Sequence, residues 1–503
     1  MIESKAKHAF IQPNSRRFHV ILLLMTGMTL FYFARTNIAI SMVCMINSTF
    51  VNSDTSSIDK APKHCYHIIN SSRSGNNPKS FEGTFDWNED VQNLIVSSNF
   101  WGSLLTTTFA GYLADKTSPK KIIIFCTLTL LITTAAFPPL AIYFGYVPVI
   151  ISRFLFGIGE AFWAPSFNHI LSNWIPLTEK GLAVGIYTSG VQISVLLGNP
   201  IAAYFCNTSI GWPGTFYFCA FLLLLYIITW MLCVQNRFDK GKWVTRNEYH
   251  YLSANMTKKD CTNKSGNRRI LWLRIVTSLP LISILVCRIA EMIYIVFCTI
   301  FLPLYLRDTL YVNIMENGVY SAIPFIAQVV AKISTGAIVG ELQRKNVITS
   351  TESVKICQVT SGIGVMVGLM IIPHIGDCTN PLMTVACFSF ILFFFGISAN
   401  GFFTSIYILS PSMIGFVTSL NMLAGILGAG STPYIISYLK RTSKTGGWNN
   451  VLYFLGITWL IASLFFGIFG SGEKQNWVEQ NDKSNKDYNN LIKDESSSNV
   501  VTL

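Results

Sequence analysis

The sequence predicts an all-α membrane protein that crosses the bilayer about twelve times, in two groups of six helices. Hydrophobic residues make up 51% of its 503 residues, while Asp, Glu, Lys and Arg together make up only 12%. A typical soluble domain has about 25% charged residues. In addition, apolar stretches of about 20 residues, the length that a helix needs to cross a bilayer, recur along the whole chain. Lipid is therefore the expected solvent of this protein.

Each apolar stretch predicts one transmembrane helix. The first group predicts an N-terminal bundle over residues 19–234, with helices at 19–45, 92–114, 122–143, 147–170, 181–205 and 214–234. The second group predicts a C-terminal bundle over residues 279–470, with helices at 279–302, 316–340, 354–373, 380–408, 412–438 and 450–470. The remaining segments are polar: a tail at 1–18, a loop at 48–90, a linker at 235–278 and a tail at 471–503, whose composition predicts disorder.

The distribution of Lys and Arg predicts the orientation. Between residues 235 and 278, ten Lys and Arg residues stand against three Asp and Glu residues. Because Lys and Arg are retained on the cytoplasmic side during insertion, the linker and both tails are expected in the cytoplasm. Lys440, Arg441 and Lys444 are an exception, since they fall on the other side. Topology and contact with anionic lipid explain the net charge of +12, so nucleic acid is not an expected partner.

The non-cytoplasmic side carries candidate covalent modifications. Asn70, Asn47 and Asn207 each begin an Asn-X-Ser/Thr pattern for N-glycosylation, and Asn70 is the best candidate because the other two lie close to the bilayer. Cys65 lies in the 48–90 loop and Cys206 lies near the same face, which makes them candidate disulfide partners. Most of the 12 cysteines fall inside spans and are expected to pack as small hydrophobic side chains.

Six ionisable side chains lie away from the ends of the predicted spans, where each is costly unless it faces a partner or a water-filled cavity. They are Arg35 in the first span, Arg153 and Glu160 in the fourth, Arg288 and Glu291 in the seventh, and Lys332 in the eighth. A guanidinium binds a carboxylate or a phosphate through a planar fork of N–H donors. Three arginines deep in separate helices therefore predict a binding site for a small anion.

Glu160 is the candidate coupling residue. It follows Arg153 by seven residues, or two helical turns, so the two side chains are expected on one face of the fourth span and in one cavity. Intramembrane carboxylates are often functional, and we hypothesise that Glu160 carries the coupled proton. A static ion pair that ties helices together is the alternative.

The seventh and eighth spans leave alternatives open in the same way. Arg288 and Glu291 are i, i+3 neighbours, so a local salt bridge between them competes with anion binding by Arg288. Lys332 is expected either to extend its ammonium toward the membrane interface or to pair with Glu291.

The segment 111–121, between the second and third spans, resembles a signature of the major facilitator superfamily. It reads Gly-Tyr-Leu-Ala-Asp-Lys-Thr-Ser-Pro-Lys-Lys, and the signature has a Gly, an Asp followed by a basic residue, a turn and a basic pair. Asp115 and Lys116 are the candidate conformational latch, because the Asp can cap or salt-bridge a neighbouring helix end. The resemblance implies the major facilitator fold, in which two pseudo-symmetric six-helix bundles rock around a central site.

Further segments resemble solute carrier family 17, the anion:cation symporter group that includes sialin, the vesicular glutamate transporters and the type I sodium-phosphate cotransporters. These segments lie at 35–37, 42–45, 99–102, 153–160, 174–176, 277–280, 321–324 and 470–477. The resemblance implies that Arg35 and Arg288 bind the anion, and that Arg153 and Glu160 take part in coupling and gating.

The chain also departs from this family in ways that leave its substrate open. Val96 stands where the vesicular glutamate transporters have a His in the second span, and Phe156 stands where sialin has an additional Glu in the fourth. Ser405 replaces a polar residue that usually precedes the proline of the tenth span. Glu291 and Lys332 match no feature of the family's pattern.

The sequence therefore predicts a secondary active transporter of a small organic anion, such as an acidic sugar or acidic amino acid, coupled to protons and working by alternating access. A sodium-coupled transporter of inorganic phosphate and an anion channel or uniporter are the alternatives. No nucleophile or metal-ligand pattern indicates an enzyme, and no cofactor is expected beyond a coupling ion, H⁺ or Na⁺. Asp487, Tyr488, Leu491 and Ile492 match sorting signals that trafficking adaptors read, so lysosomal, vesicular and plasma membranes all stay open.

Overall fold

The computed structural model describes residues 15–46, 83–236, 244–255, 277–376, 378–409, 414–442 and 447–473, and nearly all of them are helical. The helices of the first half and the linker are α1 (Arg16–Met45), α2 (Glu89–Lys116), α3 (Pro119–Phe144), α4 (Tyr146–Glu160), α5 (Trp163–Trp174), α6 (Leu177–Thr188), α7 (Gly190–Cys206), α8 (Pro213–Cys233) and α9 (Arg246–Asn255). Those of the second half are α10 (Leu279–Val296), α11 (Leu302–Leu310), α12 (Ile314–Tyr320), α13 (Ile323–Arg344), α14 (Ser350–Ile375), α15 (Pro381–Ile397), α16 (Phe402–Leu409), α17 (Ile414–Thr442) and α18 (Gly447–Phe469).

These helices form the twelve spans. Eleven helical segments within the described ranges are long and apolar enough to cross a membrane. The remaining span is α2, whose 28 residues extend over about 42 Å at 1.5 Å per residue. Its buried Asn93, Ser97, Ser98 and Asn99 make it less apolar than the others. Five spans consist of two helices: α4 and α5 form the fourth, α6 and α7 the fifth, α10 and α11 the seventh, α12 and α13 the eighth, and α15 and α16 the tenth.

Prolines explain several breaks within these spans. A proline lacks the N–H that would bond to the carbonyl four residues earlier, and its ring collides with that carbonyl. Pro165 and Pro324 follow the ends of α4 and α12, and a π-helical turn at Phe297–Phe301 precedes Pro303. The break after α4 leaves Glu160 as the last residue of that helix, midway along the fourth span.

One face of the molecule, here called the linker face, carries the start of α1 and the linker helix α9. The Glu248 carboxylate of α9 accepts hydrogen bonds from the backbone N–H groups of Arg16 and Arg17, each at 3.1 Å, and from the Arg17 guanidinium at 3.1 Å. A carboxylate in this position satisfies free N–H groups and opposes the positive end of the helix dipole. This cap explains why α1 begins at Arg16 rather than at residue 19. The linker helix was not predicted.

At the opposite, distal face, a disulfide joins the first and fifth spans. Cys44, in the last turn of α1, is bonded to Cys206, the last residue of α7. The predicted partnership of Cys206 with Cys65 is therefore wrong, because the two helix ends meet and bring Cys44 to Cys206. Cys65 itself lies outside the described residues. Cys378, between the ninth and tenth spans, is also disulfide-bonded.

Two hydrogen bonds between the halves lie in the distal part of the membrane. Asn199 of α7 donates its amide to the Ser321 hydroxyl, which follows α12, at 2.9 Å. The hydroxyls of Ser97 in α2 and Tyr434 in α17 are 2.8 Å apart. These contacts hold the halves together on the distal side of the centre.

Charged residues reinforce the same closure at the distal surface. Lys440 Nζ lies 2.8 Å from Glu89 Oε1 and 3.9 Å from Asp308 Oδ2, while Arg441 pairs with Asp90. Three carboxylates therefore surround the two cations. This arrangement explains the exception in the distribution of basic residues, because Lys440 and Arg441 have local counter-charges on that face.

Candidate functional site

A cavity lies between the two halves near the middle of the bundle. Its volume is about 780 Å³, including the space that opens to solvent. Side chains from the first, second, fourth, fifth, seventh and eleventh spans line it. Its charged lining residues are Arg35, Glu160 and Arg288, and aromatic residues including Tyr32 and Phe100 form much of the remaining wall. The cavity thus has the mixed character of a small-molecule site, with a mostly apolar wall and a few placed polar groups.

Glu160 is held by two partners in the wall of this cavity. Arg35 Nη1 of the first span lies 2.8 Å from Glu160 Oε1, and Asn99 Nδ2 of the second span donates to Glu160 Oε2 at 2.7 Å. The side chains of Arg35 and Glu160 are 13% and 12% exposed. Each carboxylate oxygen therefore has a donor, and three spans meet at one carboxylate.

Two glycines bring the second and fourth spans close enough for this contact. A Cβ at Gly157 would lie 1.9 Å from the Asn99 carbonyl oxygen, and a Cβ at Gly102 would lie 2.1 Å from the Phe154 carbonyl oxygen. The Ser103 hydroxyl donates to the Gly157 carbonyl at 3.0 Å across the same interface. Only glycine allows this approach of the two backbones, so both glycines position Asn99 next to Glu160.

Aromatic rings hold the Arg35 guanidinium from its other sides. Its Cζ lies 4.7 Å from the centroid of the Phe100 ring and 5.5 Å from that of the Tyr32 ring. A guanidinium over a ring face is attracted to the ring's negative quadrupole. Arg35 is thus fixed in the cavity by one carboxylate and two rings.

Arg288 enters the cavity from the opposite half and forms a local salt bridge. Its Nη1 contacts Oε2 of Glu291, one turn further along α10. This is the local salt bridge that the i, i+3 spacing predicted as an alternative to anion binding by Arg288. A Cβ at Gly425 of α17 would lie 2.8 Å from Arg288 Nε. The absence of a side chain at Gly425 therefore leaves room for the Arg288 guanidinium. Arg35 and Arg288 line one cavity, as the anion-site hypothesis requires.

Arg153 is not part of this cavity, contrary to the prediction that it shares one with Glu160. Arg153 is 5% exposed, and its Nη1 donates to the Ala34 carbonyl at 3.3 Å. Its Cζ lies 4.7 Å from the centroid of the Phe137 ring and 5.6 Å from that of the Phe156 ring. Two helical turns place it about 10 Å further along the span axis, beyond the cavity and inside the N-terminal half. Glu160 pairs with Arg35 instead.

Lys332 joins the halves rather than reaching the interface or pairing with Glu291. Its Nζ donates to the Thr188 hydroxyl, at the end of α6, at 2.9 Å. Its backbone carbonyl accepts a hydrogen bond from Asn400 at 3.2 Å. Lys332 is therefore a contact between the fifth and eighth spans.

The remaining predicted residues fall at the edges of the described structure. Asp115 and Lys116 lie in the last turn of α2, and their side chains are outside the described part. Asn207 is exposed directly after α7. The glycosylation candidates Asn47 and Asn70 and the sorting residues Asp487, Tyr488, Leu491 and Ile492 lie outside the described residues.

Sequence reasoning missed Asn99 and Tyr32 as site residues. Asn99 carries an amide in the middle of a span, where a polar group needs a partner, and that signal could have identified it. Tyr32 precedes Arg35 by three residues and so lies on the same helix face. It lines the same cavity as Arg35, Glu160 and Arg288, and the centroid of its ring lies 5.5 Å from the Arg35 Cζ.

Comparison with known proteins agrees with this architecture. The family model of the Major Facilitator Superfamily matches residues 24–429. The chain is 30% identical to the uncharacterized transporter slc-17.3 of Caenorhabditis elegans over 501 residues, which cover 95% of this chain and 92% of that protein. It is 25% identical to human (Homo sapiens) sialin over 469 residues, which cover 92% and 91%.

Among solved structures, the crystal structure of a D-xylose-proton symporter superposes with a TM-score of 0.66. It covers 92% of this chain and 100% of the symporter, at 14% sequence identity, and so shows a shared fold. The family model, the relatives and the twelve-span fold agree, and proteins of this superfamily are transporters rather than enzymes. The chain is therefore a multi-pass membrane transporter that belongs to the major facilitator superfamily and, within it, to solute carrier family 17.

Proposed function

We propose that this chain is a proton-coupled transporter of a small organic anion, such as an acidic sugar or an acidic amino acid, that works by alternating access. The observation that carries the proposal is the 2.8 Å ion pair between Arg35 and Glu160 in the wall of the central cavity. The cavity offers an anion a place between the halves. The pair supplies a cation for that anion and a carboxylate that can accept a proton.

Competition for Arg35 couples the anion to the proton. While Glu160 is ionised, its carboxylate occupies the guanidinium of Arg35. A proton on Glu160 removes that charge and frees the N–H donors of Arg35 for the carboxylate of the anion. Because both side chains are nearly buried and an unpaired charge is costly there, Arg35 binds either the ionised Glu160 carboxylate or the anion. The anion and the proton then bind and cross together.

The second arginine explains how binding affects the two halves. Arg35 belongs to the N-terminal half and Arg288 to the C-terminal half, so an anion that contacts both bridges them. In the conformation described here, contacts such as Asn199 with Ser321 and Lys440 with Glu89 close the distal side. Alternating access requires that these contacts open while contacts on the linker side form.

The test is uptake by the purified protein in liposomes under an imposed pH gradient. The panel contains glutamate, sialic acid, glucuronate, urate and phosphate. We expect one organic anion to accumulate only with the gradient, and Arg288→Ala to abolish its uptake. Arg344→Ala is the matched control, because this arginine is 76% exposed at the linker-face end of α13. Phosphate uptake driven by a sodium gradient, or anion current without proton movement, would contradict the proposal.

A further inference from the structure

The seventh span places a second carboxylate beside the second arginine of the cavity. Glu291 contacts Arg288 directly, and both side chains are 17% exposed. Arg288 lines the cavity, so the salt bridge lies at its wall. Arg35 and Glu160 line the same cavity, and Glu291 joins them through its contact with Arg288. The two ion pairs are therefore treated as one cluster.

The charges in this cluster cancel. Arg35 and Glu160 form one pair and Arg288 and Glu291 form the other, so two positive and two negative charges leave a sum of zero. Lys332 is not counted, because its ammonium donates to the Thr188 hydroxyl at 2.9 Å and, among the described residues, to neither carboxylate of these two pairs. Without Glu291, the same cluster would carry one additional positive charge.

Arg288 packs closely against the eleventh span. A Cβ at Gly425 would lie 2.8 Å from its Nε, and Nε is buried with no hydrogen-bond partner among the described residues. The charge of Arg288 is thus neutralised by Glu291, and its Nε faces the helix rather than the cavity.

We propose that Glu291 makes the cavity selective for anions with a single negative charge. This inference rests on the proposed function. When Glu160 takes up the coupled proton, Arg35 loses its carboxylate partner while Arg288 remains neutralised by Glu291. One carboxylate of the substrate then restores the balance of charge. A second carboxylate would lie near Glu291 without a counter-charge, and in a medium of low dielectric that repulsion is large.

The same argument describes the rest of the substrate. Beyond its one carboxylate, it carries only neutral groups, so that no second negative charge lies near Glu291. A monocarboxylic sugar acid has this chemistry, whereas a dicarboxylic acid or a doubly charged phosphate does not.

Uptake of two matched sugar acids tests the proposal. Glucuronate has one carboxylate and glucarate has two on the same six-carbon chain. We expect the protein to prefer glucuronate, and Glu291→Gln to raise the ratio of glucarate to glucuronate uptake by about tenfold or more, because one like-charge interaction at short range is removed. Glu291→Asp, which keeps the charge, should restore the preference. Glu341→Gln is the control, because it removes a 43% exposed carboxylate at the end of α13.

A binding measurement separates this inference from the proposed function. The purified protein is heated in detergent with each sugar acid, and its melting temperature is recorded. The inference is supported if glucuronate raises the melting temperature of the unmodified protein and glucarate raises that of Glu291→Gln. If this occurs without any uptake, only the proposed function fails. Glucuronate uptake with an unchanged ratio in Glu291→Gln overturns the inference alone. The absence of both uptake and stabilisation overturns both.

Discussion

Arg35 of the first span and Glu160 of the fourth span form an ion pair 2.8 Å long in the wall of the central cavity. Asn99 of the second span binds the other carboxylate oxygen of Glu160 at 2.7 Å. A single carboxylate therefore connects three spans of the N-terminal half with the space where a substrate would bind. Arg35 and Asn99 are the two donors to Glu160 among the described residues. A change in the charge of Glu160 therefore alters both of these hydrogen bonds.

Replacement of Glu160 by Gln should separate anion movement from proton movement. The amide cannot take up a proton at neutral pH, and it leaves Arg35 without a counter-charge. We expect anion exchange between the two sides of the liposome to continue, and net uptake driven by a pH gradient to fall at least about tenfold, the effect of 1.4 kcal/mol. Parallel assays of exchange and of gradient-driven uptake measure this. Undiminished gradient-driven uptake in a folded variant would contradict the coupling role.

Gly157→Ala should disrupt the site through the helix interface. Its new Cβ would lie 1.9 Å from the Asn99 carbonyl oxygen, so the second and fourth spans must move apart and Asn99 must move away from Glu160. Overpacking of this kind costs about 1–3 kcal/mol. We expect a lower melting temperature and loss of uptake.

Gly185→Ala is the matched control, because no atom lies within 4 Å of a Cβ built there. Alanine is favoured over glycine in a helix by about 0.5–1 kcal/mol. This variant should keep its uptake and melt at the same or a slightly higher temperature. Equal behaviour of the two alanine variants would show that the close approach at Gly157 is not needed.

Charge reversal at Lys440 should weaken the distal closure. Lys440→Glu faces Glu89, its present partner at 2.8 Å, and replaces an attraction with a repulsion. The extent of closure is measured by the yield of a short bifunctional thiol reagent that bridges cysteines placed at Ser97 and Tyr434, whose hydroxyls are 2.8 Å apart. We expect a lower cross-linking yield, and recovery of the yield when Glu89→Lys is added. Failure of the second change to restore it would mean that the pair does not hold the halves together.

Removal of the Glu248 carboxylate should destabilise the start of the first span. Glu248→Ala leaves the guanidinium of Arg17, which is 2% exposed, without its carboxylate partner. Breaking a buried ion pair from one side costs about 3–5 kcal/mol. We therefore expect a clearly lower melting temperature in detergent. Glu341→Ala, an exposed carboxylate on the same face, should change stability by less than about 0.5 kcal/mol.

The spans and the ionisable residues could be predicted from the sequence, because long apolar runs and rare intramembrane charges are local signals. Their partners on other spans could not be predicted. The contact of Glu160 with Asn99 depends on the approach of the second and fourth spans at Gly102 and Gly157, which no spacing along one chain segment shows. The prediction that Arg153 shares a cavity with Glu160 was wrong, because two side chains on one helix face can still lie too far apart along the helix axis to line one cavity. The salt bridge at i, i+3 in the seventh span was predictable because both partners lie on one helix.

The bond between Cys44 and Cys206 has a consequence for the surroundings of the protein. Disulfides persist in oxidising compartments, such as the cell exterior and the lumen of the secretory pathway, whereas cytosolic thiols are kept reduced. Cys44 and Cys206 lie at the distal face, and Cys378 is bonded on the same side. We therefore expect the distal face on the oxidising side of the membrane and the linker face on the reducing side, and this expectation does not depend on the distribution of Lys and Arg residues. A reductant that cannot cross the membrane should cleave these bonds from the distal side alone.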